Sequence, residues 1–214
     1  TKKSQYEGGI MITASHNPIE WNGLKFILNG KGISEQDLEG ILDVKDYLPC
    51  KPGSVFQITS SYVDDALNFI SNRDHSHKKR VGLDPGGGAA SGYINTLFHE
   101  LGHGYLGIND TYGISSRGTD PTVEDLNELG SLVTKNGLAL GFAFDLDGDR
   151  VVVVDRYGRK MEPDATLLLC VGAAIEQGAR KFVVSLDTSL ALEKLIEYSG
   201  GEIVYSKVGE ANVV

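Results

Sequence analysis

Residues 8–18 read Gly-Gly-Ile-Met-Ile-Thr-Ala-Ser-His-Asn-Pro, an apolar run that passes directly into a polar turn. The run has the length and composition of a buried strand, so it predicts that Ser15 lies at the mouth of a strand. The asparagine and proline that follow the serine favour a turn. Lys25 comes seven residues after that proline. One short segment therefore carries a hydroxyl, an imidazole and an amine.

Strands and helices alternate along the rest of the chain. Apolar runs bounded by turn residues predict strands, and apolar residues at helical spacing predict helices. The predicted strands span residues 81–84, 105–108, 139–144, 151–154, 181–186 and 202–205. The predicted helices span residues 35–44, 60–70, 89–101, 122–133, 164–177 and 189–199, with Ser60 or Ser61 and Thr122 as N-caps. Such alternation is typical of the α/β class with largely parallel or mixed sheets.

A second site-like segment, Phe-Asp-Leu-Asp-Gly-Asp-Arg at residues 144–150, lies between two predicted strands. Asp145, Asp147 and Asp149 alternate, so their carboxylates can converge on one hard cation if the backbone curls. The glycine between the last two aspartates permits that curl. Mg²⁺ prefers oxygen ligands and often shares carboxylates with a phosphate. Arg150 can then hold a phosphate or a carboxylate by a bidentate contact.

An unactivated serine hydroxyl is a weak nucleophile, so phosphoryl transfer through Ser15 needs positioning, a base and neutralised charge. The backbone amides of the turn at residues 14–17 can point at phosphate oxygens. His16 and Lys25 can supply protons or positive charge. The sequence thus offers candidates for each requirement.

The serine segment and the aspartate segment, in this order, resemble the α-D-phosphohexomutase family. The resemblance implies that Ser15 is the phosphoserine and that Lys25 is a general acid/base supported by His16. It implies metal binding by Asp145, Asp147 and Asp149, with the phosphate on Ser15 as a further ligand. Residues 208–212, Val-Gly-Glu-Ala-Asn, resemble the start of the family's sugar-contacting loop. The implied substrate-binding residues are Asn17, Arg150, Gly209 and Glu210.

The resemblance also implies a function and an architecture. Members interconvert hexose 6-phosphate and hexose 1-phosphate through a phosphoserine and a bisphosphorylated sugar intermediate. The implied cofactors are Mg²⁺ and a hexose 1,6-bisphosphate, and glucosamine, mannose and glucose phosphates all stay open as substrates. We expect successive three-layer α/β/α domains, with domain I at residues 1–62, domain II at 63–160 and domain III at 161–214. The first and last are expected to be incomplete, which would leave sheet edges free for self-association.

Several alternatives compete with this interpretation. A non-catalytic fragment that binds a metal or a sugar phosphate is the main one. A haloacid-dehalogenase-like phosphotransferase shares the Asp-x-Asp-Gly pattern, although it needs a threonine or valine in place of Asp149. An EF-hand fails because arginines occupy its sixth and twelfth positions. His99-Glu-Leu-Gly-His103 matches the HExxH zinc-peptidase pattern, but the glycines on either side of His103 predict that the helix ends first.

The turn Asp84-Pro-Gly-Gly-Gly88 has two interpretations. It could cradle a phosphate at a helix start, but a tight structural turn is favoured. Arg117 could face a cleft, although no motif supports that placement.

Composition narrows the class of partner. The 214 residues contain 20 lysines and arginines against 29 aspartates and glutamates, a formal net charge of −9. This balance argues against nucleic acid or an anionic membrane surface as a partner. A small-molecule sugar phosphate is the partner that the resemblance implies, and such an anion would need a local basic patch. Cys50 and Cys170 form no metal-binding or disulfide pattern, which favours a reducing, cytoplasmic location.

Overall fold

The computed structural model describes residues 6–44, 53–57, 62–70 and 78–209. The chain divides into two compact units, Thr1–Asp74 and His75–Val214. The serine segment belongs to the first unit and the aspartate segment to the second. The predicted N-caps Ser60 and Ser61 and the predicted sugar-contacting Glu210 lie outside the described residues.

The first unit contains an antiparallel sheet in the order β1-β2-β3, formed by Gly8–Ile12, Leu24–Leu28 and Lys31–Gly32. The predicted strand before Ser15 is present, but Ile10 and Ile12 are 62% and 74% exposed, so the expectation of a buried strand is wrong. Strand β2 follows the serine turn and pairs with β1 along its whole length. This strand is not among those predicted from the sequence.

Two helices complete the described part of this unit, α1 (Glu35–Leu42) and α2 (Tyr62–Ile70). Helix α1 begins with a complete capping box. The Ser34 hydroxyl accepts from the Asp37 N–H at 3.1 Å, and the Asp37 carboxylate accepts from the Ser34 N–H at 3.2 Å. Reciprocal caps of this kind satisfy donors that the first helical turn leaves unpaired, and they fix the start of the helix.

The second unit contains a mixed sheet in the order β5-β4-β6-β7. Its strands are β4 (Arg80–Asp84), β5 (Gly104–Gly107), β6 (Gly141–Phe144) and β7 (Val151–Val154). β4 runs parallel to both β5 and β6, whereas β6 and β7 form an antiparallel hairpin. The predicted α/β class with mixed sheets is therefore confirmed. This topology places Asp84 and Asp145 directly at the carboxyl ends of two adjacent parallel strands.

The predicted helix at residues 89–101 is divided into a 3-10 helix, Ala89–Gly92, and α3, Ile94–Glu100. Helix α3 packs against β5. Leu101 closes its last turn, and Gly102 follows with a φ of 71°. A left-handed residue at this position terminates a helix and favours glycine.

Helix α4 spans Asn127–Lys135, so the predicted start with Thr122 as N-cap is wrong. The Asp120 carboxylate accepts hydrogen bonds from both the N–H and the hydroxyl of Thr122. This hydroxyl is the group expected to cap the helix, and it is already engaged. Lys160 Nζ donates to the carbonyls of Thr122 and Glu124 at 2.5 and 2.7 Å. A helix beginning at residue 122 would need those carbonyls for its own hydrogen bonds. The lysine therefore competes with helix formation over the first predicted turn.

The core of this part of the unit lies between α4 and the sheet. It consists of buried aliphatic side chains from α4, from the residues that flank α4 and from the sheet, namely Leu126, Leu129, Val133, Leu138, Ala143, Val152 and Val154. Glycines on the facing strands let the helix approach closely, because a Cβ at Gly82 or Gly141 would lie 3.0 Å from a Leu129 carbon. This packing holds β6, and with it the start of the aspartate segment, in a fixed place.

The remaining elements are α5 (Pro163–Glu176), β8 (Lys181–Ser185), α6 (Leu190–Tyr198) and β9 (Glu202–Ser206). Strands β8 and β9 pair in parallel, and α6 begins with Ser189 as its N-cap. Val184, Leu192 and Ile196 form a second buried cluster. These elements agree with the helix–strand–helix–strand pattern that the sequence predicts for residues 164–205.

Candidate active site and metal centre

The serine turn (residues 13–17) follows β1 without interruption. Ser15 has a φ of 54°, a left-handed conformation that is uncommon for a residue other than glycine. Its N–H donates to the Thr13 hydroxyl at 2.8 Å, and the Asn17 N–H and side-chain amide both donate to the Ala14 carbonyl. These bonds close the turn around the serine. A functional side chain in a left-handed turn is a frequent feature of active sites.

The Ser15 hydroxyl and His16 Nδ1 lie 3.1 Å apart, so one can donate a hydrogen bond to the other. Both residues are half-buried, whereas Asn17 is exposed. The contact between a hydroxyl and a ring nitrogen is the geometry in which an imidazole can take the proton of an attacking serine. The predicted substrate contact of Asn17 stays a prediction, since the structure shows its amide closing the turn.

Lys25 lies on β2, directly opposite Met11 on β1. The connection between these two strands contains the whole serine turn, and the Thr13 N–H donates to the Gly23 carbonyl at its base. A Cβ at residue 23 would lie 2.6 Å from the Thr13 carbonyl oxygen, so this position accepts glycine alone. The hairpin therefore carries the candidate nucleophile and the candidate general acid/base on one element.

The aspartate loop (residues 145–150) connects β6 and β7. Phe144 and Val151 are paired across the base of the hairpin. The Asp145 carboxylate accepts from the Arg150 N–H at 3.0 Å, and the Asp145 carbonyl accepts from the Gly148 N–H at 3.2 Å. Gly148 has a φ of 76°, a conformation that favours glycine. The predicted curl is therefore present, with its glycine at the predicted position.

The curl brings together one carboxylate oxygen from each of the three aspartates, Asp145, Asp147 and Asp149, all within 4.8 Å of one another. Asp145 is fully buried, Asp147 half-buried and Asp149 exposed. Burial, together with the neighbouring carboxylates, raises the pKa of Asp145 to about 6, although the hydrogen bond from the Arg150 N–H acts in the opposite direction. A buried carboxyl beside two others is unfavourable in its charged form unless a cation compensates it.

The donor set fits a hard divalent cation. Three carboxylate oxygens within 4.8 Å of one another could be shared by one such ion, which takes oxygen ligands. Asp145 Oδ2 is buried and accepts no hydrogen bond from any described residue. A buried carboxylate oxygen without a donor is suited to a metal. The three aspartates thus match the chemistry that Mg²⁺ requires.

The other predicted substrate contacts have the following places. Arg150 is 40% exposed at its side chain, and its Nη1 lies 3.4 Å from an Asp120 oxygen. Gly209 has a φ of 125° at the end of the described residues, and Glu210 lies beyond them. Their roles in binding a substrate stay predictions.

The glycine-rich turn after β4 lies against the aspartate loop. The Ala89 N–H donates to the Leu146 carbonyl at 2.7 Å. A Cβ at Gly88 would lie 2.6 Å from Leu146 Cα, and one at Gly87 would lie 2.9 Å from the Ile114 nitrogen. These glycines are therefore required by close backbone packing, in agreement with the favoured interpretation of the turn as structural.

The HExxH pattern does not form a zinc site. Helix α3 ends at Glu100, so His99 and His103 do not share a helical face. His103 Nδ1 instead accepts from the Lys79 N–H at 3.1 Å, and His99 contacts the adjacent Glu100. The prediction that the helix ends before His103 is confirmed.

Two family models match the chain in sequence order. The model for phosphoglucomutase/phosphomannomutase α/β/α domain I matches residues 1–46, and the model for domain II of the same family matches residues 60–158. The chain belongs to the α-D-phosphohexomutase family. The serine turn lies within the domain I match and the aspartate loop within the domain II match.

Curated relatives in this family carry several names. A probable phosphoglucosamine mutase of Pyrococcus abyssi is 33% identical over 97% of this chain and 48% of its own length. A phosphopentomutase of Thermococcus kodakarensis is 30% identical over 95% of this chain and 47% of its own length. The chain spans about half the length of the curated relatives it matches.

Solved structures of phosphohexomutases share the fold. A phosphoglucomutase/phosphomannomutase family protein from Burkholderia thailandensis superposes with a TM-score of 0.83 at 24% identity, over 97% of this chain and 46% of that one. A putative phosphomannomutase from Thermus thermophilus gives a TM-score of 0.81 at 21% identity, over 96% and 49%. No helix in the described ranges is long and apolar enough to cross a membrane.

Proposed function

We propose that this chain supplies the phosphoserine and the metal site of a phosphosugar mutase that interconverts sugar 6-phosphates and sugar 1-phosphates. Family membership supports the general reaction. The observation that carries the proposal is the serine turn, where a left-handed Ser15 lies 3.1 Å from His16 Nδ1 at the end of a strand. We assign domain I to residues 1–62, domain II to 63–160 and the start of domain III to 161–214.

The serine turn supplies the covalent step. The Ser15 oxygen forms a bond to phosphorus, and the bond from phosphorus to the sugar oxygen breaks. His16 Nδ1 is placed to accept the proton from the serine hydroxyl. Lys25 protonates the departing sugar oxygen, in the general acid role predicted for it. These steps describe the return of a phosphoryl group from the bisphosphorylated sugar to Ser15. In the preceding half-reaction the free hydroxyl oxygen of the sugar monophosphate forms a bond to the phosphorus carried by Ser15, and the bond from phosphorus to Ser15 Oγ breaks. Lys25 takes the proton of that sugar hydroxyl, and His16 gives a proton to Ser15 Oγ.

The aspartate loop supplies the metal site, with Asp145, Asp147 and Asp149 as ligands. Mg²⁺ bound there would offset negative charge on the transferring phosphoryl group. Arg150 is half-exposed beside the ligands and can hold an anionic oxygen of the substrate.

The substrate class is a sugar phosphate. The relatives that are named phosphoglucosamine mutase and phosphopentomutase match nearly the whole chain at similar identity. We propose glucosamine phosphate as the first substrate to test, with Gly209 and Glu210 contacting the sugar. Mannose, glucose and pentose phosphates belong in the same panel.

Intact and peptide mass spectrometry would test the proposal after incubation with glucose 1,6-bisphosphate and Mg²⁺. We expect one added phosphate on the peptide containing Ser15, and its absence in Ser15→Ala and Asp145→Asn. Ser34→Ala is a matched control, since it removes another serine hydroxyl of the same unit without contact to the serine turn, and it should take phosphate as the wild type does.

Phosphate on a different residue, or equal labelling of Ser15→Ala, would refute the assignment of Ser15. Binding of metal and sugar phosphate without any transfer would instead favour the non-catalytic alternative for this chain.

A further inference from the structure

Arg117 is the buried cation beside the aspartate loop, and its side chain is only 8% exposed. Nε donates to Asp84 Oδ2 at 2.8 Å. Nη2 donates to the carbonyls of Asp84 and Phe144 at 3.1 and 2.6 Å, and Nη1 donates to the Gly118 carbonyl at 3.0 Å. A single guanidinium thus links the last residues of the parallel strands β4 and β6.

The Asp84 carboxylate completes this buried network. Its side chain is 2% exposed, and Oδ1 accepts from the Gly86 N–H at 3.0 Å and from the Asn109 amide at 3.1 Å. Both oxygens of the carboxylate are therefore satisfied, and the positive charge of Arg117 is neutralised within the network. Because of this neutralisation, Arg117 acts on its neighbours through geometry more than through its net charge.

The network reaches the aspartate loop at its first residue. Phe144, whose carbonyl accepts from Arg117, immediately precedes the buried ligand Asp145. The glycine-rich turn contacts the next part of the loop through the bond from Ala89 to Leu146. A Cβ at Gly86 would lie 2.9 Å from Arg117 Nη2, so the turn and the arginine also fit against each other.

We infer that Arg117 is a positioning residue for the metal site, which it serves by fixing the Phe144 carbonyl and hence the orientation of the Asp145 carboxylate. The inference rests on the proposed metal-binding role of the aspartate loop. Arginine is suited to this position because its five N–H donors lie in one rigid plane and can serve several acceptors at once. A lysine has three donors on a single nitrogen and cannot span the same acceptors.

A merely structural ion pair would give different results from a positioning residue. Asp84→Asn/Arg117→Met removes both buried charges together, so it leaves no uncompensated ion, while the side-chain amide oxygen at position 84 can still accept from Gly86 and Asn109. The double variant nevertheless lacks the bond to the Phe144 carbonyl. The double variant should therefore fold, but the Phe144 carbonyl before the aspartate loop should no longer be held in place. An effect on metal affinity can then be distinguished from an effect on stability.

The experiment is a Mn²⁺ titration of the full chain, followed by the electron paramagnetic resonance of free Mn²⁺, with thermal unfolding measured on the same samples. We expect Asp84→Asn/Arg117→Met to unfold cooperatively near the wild-type temperature but to bind Mn²⁺ at least about tenfold more weakly, the effect typical of lost groups behind metal ligands. Arg117→Lys should have an intermediate affinity. It is the variant to use if the double variant does not fold.

Lys160→Met is the matched control. Like the double variant, it removes a basic side chain that donates to backbone carbonyls in this unit. The two acceptors of Lys160 are the carbonyls of Thr122 and Glu124, which do not belong to the residues around the aspartate loop. Its Mn²⁺ affinity should equal that of the wild type. A loss in this variant as large as in the double variant would overturn the inference.

Wild-type affinity in the folded double variant, or in Arg117→Lys if that variant has to be used, would also overturn it. If the wild type binds no Mn²⁺, or if Asp145→Asn binds it equally well, the metal site is absent and the inference fails with it. If Mn²⁺ binds as expected while Ser15 takes no phosphate, the proposed phosphoryl transfer fails and the positioning role stands.

Discussion

Replacing Gly88 with alanine should deform the aspartate loop. A Cβ at this position would lie 2.6 Å from Leu146 Cα and closer still to the Leu146 carbonyl oxygen. Ordinary contacts of a Cβ begin at 3.4 Å. The glycine-rich turn or the aspartate loop must therefore move by about 1 Å to relieve the contact with the carbonyl oxygen, and both neighbours are backbone, which cannot yield by a simple side-chain rotation.

The effect of this substitution is steric. Gly88 has φ −88° and ψ −165°, values that alanine adopts without strain. Overpacking of this kind costs about 1–3 kcal/mol of unfolding free energy. Displacement of the loop also weakens the 2.7 Å bond from the Ala89 N–H to the Leu146 carbonyl, which contributes about 1 kcal/mol. Since Leu146 lies between two of the proposed ligands, Asp145 and Asp147, we expect Mn²⁺ affinity to fall about tenfold or more.

Urea unfolding and Mn²⁺ titration of the full chain measure the two effects. Gly172→Ala is the matched control, because a Cβ in that α5 position meets nothing within 4 Å. It should leave Mn²⁺ affinity unchanged and raise the unfolding free energy by about 0.5–1 kcal/mol, the gain from alanine inside a helix. Wild-type stability and wild-type Mn²⁺ affinity in Gly88→Ala would refute the steric argument.

Two further predictions concern pH and the core. Burial raises the pKa of Asp145 from 3.8 to about 6 in the metal-free protein, so the folded state binds this proton more tightly than the unfolded state. The contribution of this carboxyl to metal-free stability should therefore be lost as the pH rises from 3.8 through about 6. Calorimetry should show that the Mn²⁺ affinity rises over the same pH range and that Mn²⁺ binding releases the proton. Asp145→Asn should remove both of these pH dependences. Leu129→Ala should cost about 2–5 kcal/mol in urea unfolding, because Leu129 is fully buried. Adding Gly82→Ala should recover part of that loss, since the new Cβ would occupy space within 3.0 Å of the removed Leu129 carbon, and no recovery would contradict the packing described for α4.

The aspartate loop could be predicted from the sequence because its determinants are local. Alternating aspartates, one glycine and two flanking apolar runs are enough to specify a curled hairpin. The same holds for α6, whose N-cap Ser189 directly precedes a run with helical spacing. The position of the serine turn could also be predicted from the sequence. The exposure of β1 could not, because the exposure of Ile10 and Ile12 depends on what lies against the strand.

The missed features depend on residues that are distant in sequence. The late start of α4 depends on Lys160, which is 38 residues from Thr122 in sequence, so no local capping pattern reveals it. Arg117 belongs to no motif because its partners Asp84 and Phe144 lie 33 and 27 residues away. A signal was nevertheless present. An aspartate and a phenylalanine end two predicted strands, and parallel strands bring such ends together.

The pairing of Phe144 with Val151 has a consequence for how this protein can be redesigned or can diverge. An added residue between these two would have to be absorbed within the loop, where it would disturb the hydrogen bonds from the Gly148 and Arg150 N–H groups to Asp145 that hold the curl. We therefore expect the aspartate loop to tolerate exchanged side chains better than added residues. Attempts to alter the preference of the proposed metal site should accordingly work by substitution within residues 145–150.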